Sequence, residues 1–382
     1  MKSNFYIPGL VLAIIFIGCD GTSDTASKIK IGCAAPLTGD QATIGIDMCN
    51  GVELAILQAN DLAAQMTPGA TGIEFAISRQ DDQHNPAQAV NVAKKFVSEP
   101  AVLAVVGHFN SSCTKPSSAV YNEAGLVQIT PASTNPELSK QGFATFFRTA
   151  ATDDVQGPKG AVFAVKKLGI KKIYVIDDKT TYGKGLADEF EKEARKLGAE
   201  ILGHEGITQG DKDFTPLLTK VKPLAPDLIY YGGIYPEGAL LLRQARSLDV
   251  KAAFMGGDGI ATPVFIKLAT PEIAEGTYAT MVGGDMHQVP AAASFIRDYE
   301  AKFGVLGQWS AYGFDSANVL IQSIQKAATQ DRPAVLKSIR EIPKFQGITG
   351  DIVFDAKGDN QNQFIGIFQV KNGKLAYIGS AE

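Results

Sequence analysis

Residues of the right type and spacing for ligand chemistry gather in Thr130-Pro131-Ala132-Ser133-Thr134-Asn135-Pro136-Glu137, directly after the apolar run Val127-Gln128-Ile129. Two prolines fix the backbone and remove two N–H donors, with small hydroxyl residues between them. A similar construction lies upstream, where Leu103-Ala104-Val105-Val106 runs into Gly107-His108-Phe109-Asn110-Ser111-Ser112 and a helical pattern follows from Cys113. Two strand ends bearing serine and threonine, each leading to a helix N-terminus, can cradle a small anion, because free N–H groups and the helix dipole favour negative charge. Local pattern alone favours a plainer reading, helix capping by Asn110, Ser111 and Asn135.

Covalent chemistry finds no support. Tyr182-Gly183-Lys184-Gly185 is not a nucleotide loop, since Asp188 stands where a third glycine is needed and no Gly-Lys-Ser/Thr occurs. Ser111 and Ser133 lack a G-x-S-x-G elbow. Asp81-Asp82, Asp177-Asp178 and Glu191/Glu193 read as solvated turn or helix residues. His84, His108, His204 and His287 are scattered without metal-type pairing. Neither an enzyme, a cofactor nor a metal is expected.

Binding without chemistry remains. A small amphoteric ligand needs hydroxyls and N–H groups for a carboxylate, an acid for an ammonium, and apolar walls for its tail. Strand-end loops supply Ser111, Ser133 and Thr134 for the first, Asp258 for the second, and Ile44, Phe109, Tyr182, Ile234 and Trp309 for the third. Alone, Asp258 before Gly259 reads as a turn residue, and Trp309 as a core anchor.

The elements that must position these loops alternate. Strands are expected at Ile29–Ala34, Ile73–Ile77, Val102–Val106, Val127–Ile129, Phe146–Thr149, Lys172–Ile176, Glu200–His204, Leu228–Tyr231, Ala253–Met255 and Tyr278–Val282. Helical patterns lie between them, including Gly45–Ala59, Gly185–Leu197 and Pro236–Leu248. Such alternation predicts parallel sheets covered by helices, here two doubly wound α/β sheets with ligands beyond the carboxyl ends of the strands. Helices near Ala291–Lys302, Ala311–Ala327 and Arg332–Ile339 precede an expected hairpin of Ile352–Phe354 with Phe364–Val370.

The 382 residues, 45% hydrophobic and 20% charged with net charge −4, describe a globular protein with no footprint for nucleic acid. Lys2 precedes an apolar run from Ile7 to Gly18 that is too short to span a bilayer and reads as a secretory signal over residues 1–18. Phe16-Ile17-Gly18-Cys19 resembles a bacterial lipoprotein cleavage box, with Phe16 where leucine is usual. Cys19 would carry the lipid and residues 19–28 form a tether, placing the protein outside the cytoplasm at a membrane surface. Of the other cysteines, Cys33 falls in a core strand as a small hydrophobe, and a Cys49–Cys113 bridge is left open.

Gly107-His108-Phe109-Asn110-Ser111-Ser112, Ile129 to Leu138, Phe147-Arg148-Thr149, Asp178 to Ala187, Tyr230 to Glu237 and Leu242 to Arg246 together resemble the leucine/isoleucine/valine-binding proteins, the extracytoplasmic solute receptors of branched-chain amino acid ABC transporters. The match is collinear from Ile29 nearly to the C-terminus. The resemblance implies a type I periplasmic binding protein, a monomer of two lobes closing on a ligand around a hinge crossed near Thr149–Asp153, Met281–Gly284 and Phe354–Lys357. Lobe 1 would comprise 29–151 and 283–356, and lobe 2 would comprise 152–282 and 357–382. It further implies that Ser111 and the Ser133–Thr134 region bind an α-carboxylate, and that the Ala132 carbonyl, the Thr134 hydroxyl and Asp258 bind the ammonium. Tyr182 would reach over the ligand from lobe 2, and a membrane permease would be the partner. Departures from the family lie in the tail pocket, where Ile44 and Ile234 replace aromatic residues and Trp309 falls at or beside an aromatic position. His84 and Asn110 occupy the family's disulfide positions. A sensory receptor for small amides or organic acids on the same fold is the alternative.

Overall fold

The computed structural model describes residues 28–66 and 73–380. The signal segment and Cys19 lie outside the described residues.

Two sheets organise the chain. The first contains β1 (Ile29–Ala35), β2 (Phe75–Asp81), β3 (Val102–Gly107), β4 (Val127–Thr130) and β5 (Phe146–Arg148), in the order β2-β1-β3-β4-β5 and parallel throughout. Every residue of β3 and β4 is buried, as expected of strands covered on both faces. The second is built on β6 (Lys172–Asp177), β7 (Glu200–Gly206), β8 (Leu228–Gly232), β9 (Ala253–Gly256) and β10 (Tyr278–Val282), again parallel. Both doubly wound sheets therefore form as the alternation predicts.

The C-terminal part departs from expectation. Strands β11 (Phe345–Gly347) and β12 (Gly350–Ile352) form their own short hairpin, whereas β13 (Ile365–Lys371) pairs antiparallel with β10 and with β14 (Lys374–Ser380). The expected pairing of 352–354 with 364–370 does not occur. Asn372 and Gly373 both have positive φ and turn β13 into β14, the geometry an Asn-Gly hairpin favours. Residues 355–360 instead form a loop on the first sheet, where Arg148 N–H donates to the Gly358 carbonyl and Asn360 N–H donates to that of Arg148.

The chain passes between the sheets three times: after β5, after β10, and after β12. Between the second and third passages, helix Ser310–Ala327 returns to the first sheet and packs along helix Ala42–Met66. A disulfide joins Cys33 on β1 to Cys49 on that long helix, and Cys113 is free and buried. This corrects both cysteine expectations. A strand and the helix that follows it bring residues 16 apart in sequence to a Cα separation of 5.9 Å, a distance suited to a bridge.

Candidate functional site

At the carboxyl ends of the strands, between the two sheets, lies a small cleft walled by both. Ser111, Ala132, Phe109 and Ile44 line it from the first sheet, and Trp309 joins them. Tyr182, Ile234 and Asp258 line it from the second. Eight residues drawn from separate loops of the sequence thus meet in one place.

Helix starts carry most of them. Ser111 is the first residue of helix Ser111–Glu123, Ile234 precedes helix Tyr235–Ser247, and Trp309 precedes Ser310–Ala327. Tyr182, expected in a loop, lies in the first turn of helix Thr181–Lys196. Thr180 begins that helix early by accepting the Gly183 N–H at 3.0 Å, and Asp178 in turn takes the Thr180 hydroxyl at 2.6 Å.

The first-sheet half is braced by buried polar bonds. The His108 carbonyl accepts from the hydroxyls of Thr130 at 2.8 Å, Ser133 at 3.1 Å and Thr114 at 3.2 Å. Ser133 N–H donates to Thr130 Oγ1 at 3.0 Å. Ser133 is therefore spent on joining the two strand-end loops and does not line the cleft, contrary to the head-group role expected of it. Thr134 also lies behind the lining, with its buried hydroxyl beside the Asp153 carboxyl. Asn110, expected as a cap, makes no capping bond, whereas Asn135 Oδ1 takes the Glu137 N–H at 2.9 Å. Arg148, fully buried, donates to the Ser133 and Asn135 carbonyls at 3.0 and 2.7 Å and pairs with Asp359.

Charge on the opposite half centres on Asp258, 4% exposed. Tyr182 OH donates to its Oδ1 at 2.5 Å and accepts the Gly259 N–H at 2.9 Å. Burial pushes the Asp258 carboxyl up to about 6, with the Tyr182 hydrogen bond acting in the other direction. Behind it, Asp153 is fully buried, and burial together with the Asp258 charge pushes its carboxyl well above the usual range, with the Thr134 hydroxyl and Arg148 acting in the other direction. An ammonium in the cleft beside Asp258 would favour the ionised carboxylate.

Thr262 and Gln308 escaped sequence reasoning, whereas Asn110, Tyr235 and Gly259 lay within the strand-end loops without a role of their own. Tyr235 directly follows Ile234, so the aromatic wall shifts by one position. Asp47, buried on helix Ala42–Met66, is a further unforeseen residue. It accepts the N–H groups of Gly307, Trp309 and Ser310 and the Tyr299 hydroxyl, placing Trp309 edge-on to Phe109 with ring centres 5.3 Å apart. Among the described residues no cluster could hold a metal ion, and no helix is long and apolar enough to cross a membrane.

The halves also touch directly. Asn135 Nδ2 donates to the Thr181 carbonyl at 2.6 Å, Gln308 Nε2 to the Asp258 carbonyl at 3.1 Å, and Tyr235 OH to the Asp40 carbonyl.

Two parallel α/β sheets with a polar and apolar cleft between their strand ends define a solute-binding fold of the periplasmic type. The family model for periplasmic binding proteins matches residues 28–374, and the chain belongs to that family. It is 34% identical over 359 residues to a Leu/Ile/Val-binding protein homolog of Brucella suis, covering 94% of each chain. It is equally 34% identical to a leucine-, isoleucine-, valine-, threonine- and alanine-binding protein of Pseudomonas aeruginosa, covering 94% of this chain and 95% of that one. Among solved structures, the leucine-binding protein LivK of Thermotoga maritima superposes with a TM-score of 0.83 at 30% identity, covering 92% of this chain and 98% of that chain.

Proposed function

We propose that the protein is an extracytoplasmic receptor that binds a small aliphatic or hydrophobic L-amino acid between two closing lobes and delivers it to an ABC permease. The observation that carries this reading is Asp258, a buried carboxylate held by Tyr182 across a cleft from the helix start at Ser111. Ser111 and its helix N-terminus receive the α-carboxylate. Asp258, with the Ala132 carbonyl and Thr134 hydroxyl, receives the ammonium. Ile44, Phe109, Ile234 and Trp309 enclose the tail.

The lobes divide at the three passages between the sheets, as 29–151 with 283–360 and 152–282 with 361–382, the third boundary lying beyond the expected 356 because residues 355–360 stay on the first sheet. They close around the passages as hinges. No covalent step is involved. The closed form acts as a monomer presented to the permease, and the names of the relatives support the solute class. The N-terminal signal and a lipid on Cys19 would keep the receptor at the membrane.

Mass spectrometry of ligand released from the purified protein tests the reading, with a hydrophobic amino acid expected. Calorimetry adds a control: L-leucine should bind and its des-amino analogue, 4-methylpentanoate, should not, because the analogue leaves Asp258 buried without a cation. Equal binding of the two would overturn the ammonium site.

A further inference from the structure

A groove adjoins the cleft and shares three of its residues, Ile44, Thr262 and Gln308. It is the roomier of the two spaces and runs between the halves, with Leu306 on the first-sheet side and Val264, Met281, Phe368 and Leu375 on the second. All five side chains are apolar, and the chain brings them from separate elements: Met281 from β10, Phe368 from β13, Leu375 from β14, and Val264 from the first turn of helix Pro263–Ala269. The carboxylates nearby are already engaged. Asp47 takes the N–H groups of residues 307, 309 and 310, and Asp285 takes the His287 N–H at 3.0 Å and the Gln288 amide at 3.1 Å. Apolar surface is therefore what the groove offers a ligand.

Little separates the two spaces. Gln308 is the longest of the shared residues, but its Nε2 donates to the Asp258 carbonyl at 3.1 Å, which holds its amide at the acid end of the cleft. Thr262 is short, and its hydroxyl takes the Val264 N–H at 3.3 Å. That leaves Ile44, a tail wall without a polar group, and the small Thr262 on the opposite half as the partition.

We propose that this groove continues the tail pocket, so that the receptor takes amino acids whose apolar side chains are longer than that of leucine, the tail passing between Ile44 and Thr262 to lie against Val264 and Leu306. The inference rests on the amino-acid reading above and extends it to the class of tail. Head-group contacts at Ser111 and Asp258 are the same for every member of a straight-chain series, so affinity across the series reports what the tail meets. A methylene buried in the groove strengthens binding up to about fourfold, whereas one left in water adds nothing.

Calorimetric titration of the full-length protein with L-leucine, L-norleucine and L-2-aminooctanoate is the test. The last, two methylenes longer than norleucine, is expected to bind at least about fivefold more tightly than norleucine. Val264→Trp, outside the cleft, fills the groove, so this gain should vanish while leucine stays within about threefold. Leu306→Trp fills the groove from the other side and serves where the first variant does not fold. Equal or weaker binding of 2-aminooctanoate by the unaltered protein overturns the inference and leaves the amino-acid reading intact. A gain that survives in a folded Trp variant overturns it as well. Silence of all three ligands overturns the amino-acid reading and this inference with it. The unaltered protein's ratio decides the matter where neither variant folds.

Discussion

Asp47 accepts the backbone N–H of Trp309 at 2.8 Å across 262 residues of sequence. A carboxylate on the first long helix thereby sets the position of the only tryptophan, a wall of the cleft formed near the other end of the chain. Asp47→Ala would leave three N–H groups and the Tyr299 hydroxyl without their acceptor. A loss of about 3 kcal/mol of stability is expected, read by urea denaturation, with a shift in Trp309 emission because its ring is no longer held against Phe109.

Asp258→Asn keeps the shape of the site and removes its charge. Affinity for L-leucine should fall at least about a hundredfold, since the ammonium loses its buried counter-ion. Calorimetry on the folded variant checks this.

The same carboxylate predicts a pH dependence with a definite sign. Burial raises Asp258 to about 6 from an ordinary 3.8, so the empty folded state holds its proton more tightly than the unfolded chain does. Ionisation therefore costs the empty protein stability as pH rises from about 4 to about 6, and the cost is absent below that window. The ammonium needs the ionised form. Affinity for L-leucine should thus climb with pH up to about 6 and level off above, falling by up to about tenfold per unit on the acid side. Titrations at several pH values should show this slope in the unaltered protein and lose it in Asp258→Asn.

Tyr182→Phe removes the donor to Asp258 and the acceptor for Gly259 N–H while leaving the ring over the cleft. About a five- to thirtyfold loss in L-leucine affinity is expected, corresponding to about 1–2 kcal/mol. The plateau of the pH profile should move upward, because a hydrogen bond favouring the ionised carboxyl is gone.

Cys33→Ser opens the bridge between β1 and helix Ala42–Met66. Closing a loop of this length is worth about 3 kcal/mol, so the melting temperature should drop by several degrees. Reduction of the unaltered protein should reproduce the drop, and ligand affinity should change little because neither cysteine lines the cleft.

Much of this architecture was legible because parallel sheets place their business ends together. Once strand and helix alternation is read, every strand-end loop becomes a candidate, and Ile44, Phe109, Ser111, Ala132, Tyr182, Ile234, Asp258 and Trp309 do meet at one cleft. What stayed hidden depends on contacts between distant elements or on side-chain direction. Ser133 and Ser111 look alike in sequence, yet only the structure shows Ser133 turned inward onto the His108 carbonyl. Cys33 resembled any buried strand residue until the following helix folded back over it. Asp47 carries no local signature, since its partners come from residues 299–310. The last hairpin was different: Asn372-Gly373 between β13 and β14 offered a turn signal that the Gly358-Asp359 segment masked.

Arg148 grips the Ser133 and Asn135 carbonyls on one side and Asp359 on the other, so the turn at Ser133–Asn135 is bolted to the loop that leads into the third passage between the sheets. That turn is braced within its own half, and under the proposed closure the half bearing Tyr182 and Asp258 moves relative to it. Capture then has an order: the solute alights on a finished surface, and the acid arrives afterwards. Escape reverses the sequence, and its rate depends on parting Asn135 from Thr181 and Tyr235 from Asp40. How long a molecule stays is therefore governed partly by groups that do not choose it, and dwell time can be tuned without altering preference.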